Sequence, residues 1–77
     1  MITKNKLYYY RKYKKELTQS EVAKKTGIPV PSYSHKERGI SEFSLSEAIS
    51  VAKAFDITVE RLHELLTTYV EVDLNEV

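Results

Sequence analysis

The sequence predicts an all-α domain of five short helices, and three observations predict it. Every helix breaker, two Gly and two Pro, falls between residues 27 and 39, so the flanking segments are free to be helical. Apolar residues recur at three- and four-residue spacing from residue 45 to residue 69. Two segments, Thr18-Gln19-Ser20-Glu21 and Ser44-Leu45-Ser46-Glu47, have the form of capping boxes that open helices.

The chain has 77 residues, room for one modest core. With no cysteine, neither a disulfide nor a thiolate metal site can staple it. No apolar run approaches the ~20 residues of a membrane span. The N-terminal MITKNKLYYYRK lacks the apolar stretch of a signal peptide, so a cytoplasmic, membrane-free protein is expected. The net charge of +1 hides an asymmetry. Residues 1–38 hold ten Lys or Arg against three Glu, a balance of +7, and residues 39–77 a balance of −6. A basic half joined to an acidic half is the pattern of a face built for a polyanion, although solvated helices alone can produce it.

The first helix is expected over Lys4–Lys15, with Leu7 and Tyr10 inward and Tyr9 and Tyr13 four apart on another face. The second starts at the N-cap Thr18, with Leu17 and Val22 at the staple positions, and ends at Gly27. The third is expected over Val30–Arg38. Pro29 and Pro31 are tolerable there, because first-turn N–H groups lack intrahelical partners. The fourth follows Ser44, with Leu45, Ala48, Ile49, Ala52 and Phe55 as its stripe. The fifth follows Thr58, with Val59, Leu62, Leu65, Leu66 and Tyr69. Residues 1–69 are read as the domain and 70–77 as a tail, whose alternation fits a strand, a frayed helix or disorder equally.

Gly27 is the informative position. Two short helices crossing through a tight turn need a residue that accepts positive φ, and a small residue, here Ala23, where the second helix packs on the first. That arrangement is a helix-turn-helix over residues 18–39, whose second helix enters the major groove of DNA.

The matching residues are Thr18-Gln19, Glu21-Val22-Ala23, Gly27-Ile28, Tyr33-Ser34, Glu37-Arg38-Gly39, Ser44-Leu45, Ala52 to Ile57 and Thr58 to Leu62. Through them the chain resembles the XRE family, the Cro and phage-repressor helix-turn-helix regulators, over residues 5–67. The resemblance implies a compact five-helix, lambda-repressor-like domain that binds double-stranded operator DNA, commonly as a homodimer. It places Gln19 on a backbone phosphate and Val30, Ser32, Ser34 and His35 at the bases. It pairs Arg11 with Glu37, with Lys12 as the substitute because the segment to Leu17 is one residue longer than usual. Thr18, Lys12 and Lys36 complete the expected DNA-binding set. Three departures stand out. The third helix opens with Pro-Val-Pro in place of polar residues, which leaves Val30 to meet a thymine methyl. Lys36 replaces an aliphatic residue, its stem covering the core and its amine directed to solvent or phosphate. Glu16 stands where Gly is common.

Other constellations are weaker. The run Tyr8-Tyr9-Tyr10 with Tyr13 is a stacking platform for single strands or, more simply, core and surface cover. His35 and His63 lack partners at ligand spacing, so no metal or cofactor is expected. No catalytic constellation is visible, and the chain is read as a non-enzyme. Leu66, Tyr69 and Val70 are candidate dimer contacts. The functional expectation is a sequence-specific transcriptional regulator, a repressor. The alternative is a protein-interaction module, such as the antitoxin of a toxin–antitoxin pair.

Overall fold

The computed structural model describes residues 2–72, and the side chains of residues 4–70. The order of elements is β1 (Ile2–Asn5), α1 (Lys6–Tyr9) running into a π-helical turn (Tyr10–Lys14), α2 (Gln19–Thr26), α3 (Val30–Glu37), α4 (Leu45–Phe55), α5 (Val59–Thr67) and β2 (Tyr69–Val72). None of these helices is long and apolar enough to cross a membrane.

The five expected helices are present, and capping explains their starts. Thr18 and Ser44 each accept from the backbone of the residue three ahead, while Glu21 and Glu47 reach back to the cap amides. Thr58 caps α5 through the Arg61 amide. Gly27 takes φ 76 and closes α2. Asp56 closes α4 in the same left-handed conformation, with φ 58.

The first helix departs from expectation at both ends. Lys4 lies in a strand, because Asn5 is the cap and α1 begins at Lys6. At the far end, Lys15 N donates to Tyr10 O and Leu17 N to Arg11 O. A π turn absorbs one residue without breaking the helix. Such a turn suits a segment from Arg11 to Leu17 that was expected to run one residue long. Glu16 then adopts φ 53, a conformation that suits the Gly more usual there.

The described part of the tail, residues 70–72, is strand. β2 pairs antiparallel with β1, with Ile2 opposite Val72 and Asn5 opposite Tyr69. This ribbon straddles the division drawn at residue 70, and residues 73–77 lie outside the described residues.

The core comprises Leu7, Val22, Ala23, Ile28, Tyr33, Val51, Ala52, Phe55, Leu62 and Leu65, with Tyr10 packed edge-on against Phe55. The apolar stripe of α4 is rotated from the expected one. Val51 joins Ala52 and Phe55 inside, whereas Leu45 is 73% exposed and Ile49 is exposed too. α4 packs on α2 and α5 along a narrower face than five apolar residues can share.

The two capping carboxylates make acid stability partly predictable. The Thr18 backbone amide holds Glu21 below the usual value of 4.5. The Lys36 ammonium, then the Ser44 amide, does the same for Glu47. Folded values below unfolded ones mean stabilisation that is present above about pH 4.5 and lost as pH falls through the folded values. A Glu21→Gln, Glu47→Gln double variant should therefore lose less stability between pH 5 and pH 2.5 than wild type. Parallel melting curves for the two proteins across that range would contradict this.

Candidate nucleic-acid interface

A buried cluster of charged and polar side chains organises the junction of α1, α2 and α3. Glu37, the last residue of α3, is 1% exposed and Arg11 6%. Arg11 Nε donates to Glu37 Oε2 at 2.7 Å and Nη2 to Oε1 at 3.2 Å, a bidentate pair. Tyr33 Oη donates to Oε2 at 2.8 Å and Gln19 Nε2 to Oε1 at 3.0 Å. The remaining Arg11 nitrogen, Nη1, donates to Leu17 O at 2.7 Å. Among the described residues no buried side-chain donor or acceptor lacks a partner. Burial opposes the Arg11 charge, but the Glu37 carboxylate outweighs it and the guanidinium is held more strongly protonated. Burial, reinforced by Glu37, pushes the Tyr33 hydroxyl far up, so it remains a donor to that carboxylate. Arg11 is thus the partner of Glu37, and Lys12 is not its substitute. The Lys12 ammonium lies outside, on the Tyr8 hydroxyl at 3.1 Å.

Gln19 is the outermost member of this cluster. One of its amide hydrogens is held by Glu37, which leaves the other and Oε1 for a ligand. An open groove runs beside it, lined by Tyr8, Lys12, Thr18, Gln19, Ser20 and Val30 among others. The structure therefore brings four of the expected residues, Lys12, Thr18, Gln19 and Val30, to one groove. The Thr18 hydroxyl there already accepts from the Glu21 amide.

The other four lie along α3. Tyr33 and Glu37 point inward, so the outward face carries Pro31, His35 and Arg38, four and three residues apart. Ser32 and Ser34 flank that face and are half-buried. Lys36 is on the opposite flank. Its ammonium is bound by both Glu47 oxygens, at 2.7 and 2.8 Å, and does not reach toward solvent or phosphate as expected. It lines a separate cavity with Phe43, Ala48, Val59, Leu62, His63 and Leu66. Arg38 was missed by sequence reasoning, although its spacing from Pro31 and His35 marks the same face.

The first helical segment, which lines the groove through Tyr8 and Lys12, is basic and aromatic. Tyr9 and Tyr13 stack at 6.0 Å, and the Lys4 ammonium lies 4.4 Å from the Tyr8 ring centroid. Lys12, Lys14, Lys24 and Lys25 are exposed.

Two short helices joined by a left-handed glycine turn, the second exposing one face beside the capped start of the first, define a helix-turn-helix DNA-binding domain. A family model described as helix-turn-helix matches residues 7–62, and the chain belongs to that family, the XRE and Cro-like regulators. Comparison with curated proteins and with solved structures gave no match.

Proposed function

We propose that this protein is a sequence-specific transcriptional regulator that represses by occupying operator DNA. α3 lies in the major groove, and Val30, Ser32, Ser34 and His35 face the bases, with Arg38 at the far end. The observation that carries the reading is the tethering of Gln19 by Glu37 beside Val30, at the start of α2, where the Gln19 and Ser20 amides have no partner within the helix. Those amides and the Gln19 carboxamide form a docking point for a phosphate. Lys12 and Thr18 stand at its edge. Phosphate contacts set register and most of the affinity, and the face of α3 sets sequence preference.

Homodimerisation is part of the proposal. Tyr69 and Val70 are exposed, and Leu66 lines the apolar cavity between the α3–α4 turn and α5. A dimer through this side presents two recognition helices about 34 Å apart, one turn of DNA. Exposed Leu45, Ile49 and Ile40 favour the alternative, an antitoxin-like module that grips a protein with its α4 side. The two roles can coexist.

Selection of bound duplexes from a random pool tests the main reading. A palindromic consensus is expected, with affinity falling steeply as salt rises. No salt-dependent retention of any duplex sinks it. Recovery of a stoichiometric protein partner, with DNA binding indifferent to α3 substitutions, points to the interaction module. Gln19→Ala should weaken consensus and scrambled duplexes by the same factor, since a phosphate contact carries no sequence information. A loss confined to the consensus, seen by titrating both duplexes, would move Gln19 to the base-reading set.

A further inference from the structure

Four side chains cap helices among the described residues, and one differs from the rest. Thr18, Ser44 and Thr58 are exposed hydroxyl residues, each accepting from the amide three residues ahead. Asn5 caps α1 in the same way, its Oδ1 accepting from Tyr8 N at 3.1 Å, but it is 3% exposed. A hydroxyl or carboxylate would serve that cap as well. A carboxamide adds a donor. Asn5 Nδ2 gives it to the backbone carbonyl of Glu37, the last residue of α3. That carbonyl belongs to the four at a helix C-terminus that have no partner within the helix. The ribbon closes the same corner from its second strand. Asn5 pairs with Tyr69, whose hydroxyl lies 3.3 Å from the position a Cβ would take on Gly39.

We propose that Asn5 is a positioning residue for sequence readout, fixing the C-terminal end of α3 to α1 and the ribbon. The inference rests on the reading that α3 lies in the major groove. The N-terminal end of α3 is held by the turn at Gly27 and the Glu37 side chain by Arg11, so the main chain at the far end, where the Glu37 carbonyl lies, is the part that Asn5 holds. Eight residues make a helix about 12 Å long, and rocking it by ~5° shifts one end about 1 Å relative to the other. A shift of that size takes a base-edge hydrogen bond out of its working range. The face from Val30 to Arg38 then cannot keep all its contacts in register.

Two substitutions isolate this role from capping. Asn5→Asp keeps the cap and the side-chain size but turns an oxygen toward the Glu37 carbonyl. Asn5→Ser keeps the cap, adds no charge and withdraws the donor. The readout is the affinity ratio between the consensus duplex selected by wild type and a scrambled duplex. It is measured where circular dichroism shows every protein folded, with His35→Ala as the reference. We expect the ratio to fall about tenfold in Asn5→Asp and at least threefold in Asn5→Ser. We also expect amide exchange at Arg38 and Ile40 to quicken in both variants, while that at Phe55 is unchanged. If His35→Ala lowers the ratio and neither Asn5 variant does, the positioning role is overturned and groove reading stands. Exchange that quickens equally at Phe55 also overturns it, because loosening is then global. If wild type selects no consensus, or His35→Ala leaves the ratio unchanged, groove reading fails and the Asn5 role falls with it.

Discussion

Glu37→Ala should destabilise the domain by about 3–5 kcal/mol, the usual loss when one partner of a buried ion pair is removed. The reason is what remains behind. Arg11 stays 6% exposed with a guanidinium that no longer has a carboxylate. Tyr33 and Gln19 lose their acceptor at the same time. A chain of 77 residues has a total stability of about 4–12 kcal/mol, so the loss removes at least about a quarter of it and, at the low end of that range, all of it. Urea titration followed by circular dichroism measures this. Removing both charges should be far milder than the sum of the single changes, because partners in one network are not additive. Arg11→Met combined with Glu37→Met should recover at least half of the loss. Recovery stays incomplete because Tyr33 and Gln19 still lack an acceptor. A Glu37→Ala protein within about 1 kcal/mol of wild type would show that the network is not the keystone of the junction.

This junction was only half legible in the sequence. The Arg11–Glu37 pair followed from family resemblance, and the buried carboxylate confirms it at 2.7 Å. Nothing local predicted that Gln19 and Tyr33 share the same two oxygens. Their convergence needs three helices in place, and side-chain spacing within one helix carries no record of another. The capping boxes, by contrast, are four-residue signals with a complete local mechanism, so Thr18 and Ser44 were readable without any tertiary knowledge. Gly27 was readable for the same reason.

The ribbon shows the opposite limit. Asn5 and Tyr69 pair across 63 intervening residues, and each strand has four residues, too few for an alternation that outweighs a helical reading. Lys4 was therefore drawn into the first helix. The alternation of Val70 and Val72 hinted at a strand but could not name its partner. Lys36 failed for another reason. Its position in α3 was right, but its direction depends on Glu47, eleven residues on in the next helix, whose carboxylate was credited only to the Ser44 cap. The exposure of Leu45 and Ile49 is similar. A stripe of five apolar residues on α4 is wider than the face that α2 and α5 can cover, and periodicity alone does not say which edge is left out.

Val30→Glu should separate DNA binding from stability more cleanly than any other single change. Val30 is 40% exposed at the first position of α3 and lines the groove with Lys12 and Gln19. Little packing is lost, and an anion in the first turn of a helix is favoured by the dipole by about 0.3–1 kcal/mol. The melting temperature should be unchanged or slightly raised. The same carboxylate would face a phosphate-lined duplex, where apposed like charges cost several kcal/mol. Affinity for consensus DNA should fall at least a hundredfold, about 2.8 kcal/mol by the usual conversion of about 1.4 kcal/mol per tenfold. Affinity for scrambled DNA should fall as well, because repulsion from the backbone ignores sequence. Val30→Thr, which keeps the methyl and the shape, should stay within about threefold of wild type on both duplexes if a thymine methyl is its partner. Fluorescence anisotropy at two salt concentrations distinguishes the outcomes. Should Val30→Glu bind consensus DNA as wild type does, the start of α3 faces away from the duplex, and the groove beside Gln19 would have to be assigned to some other ligand.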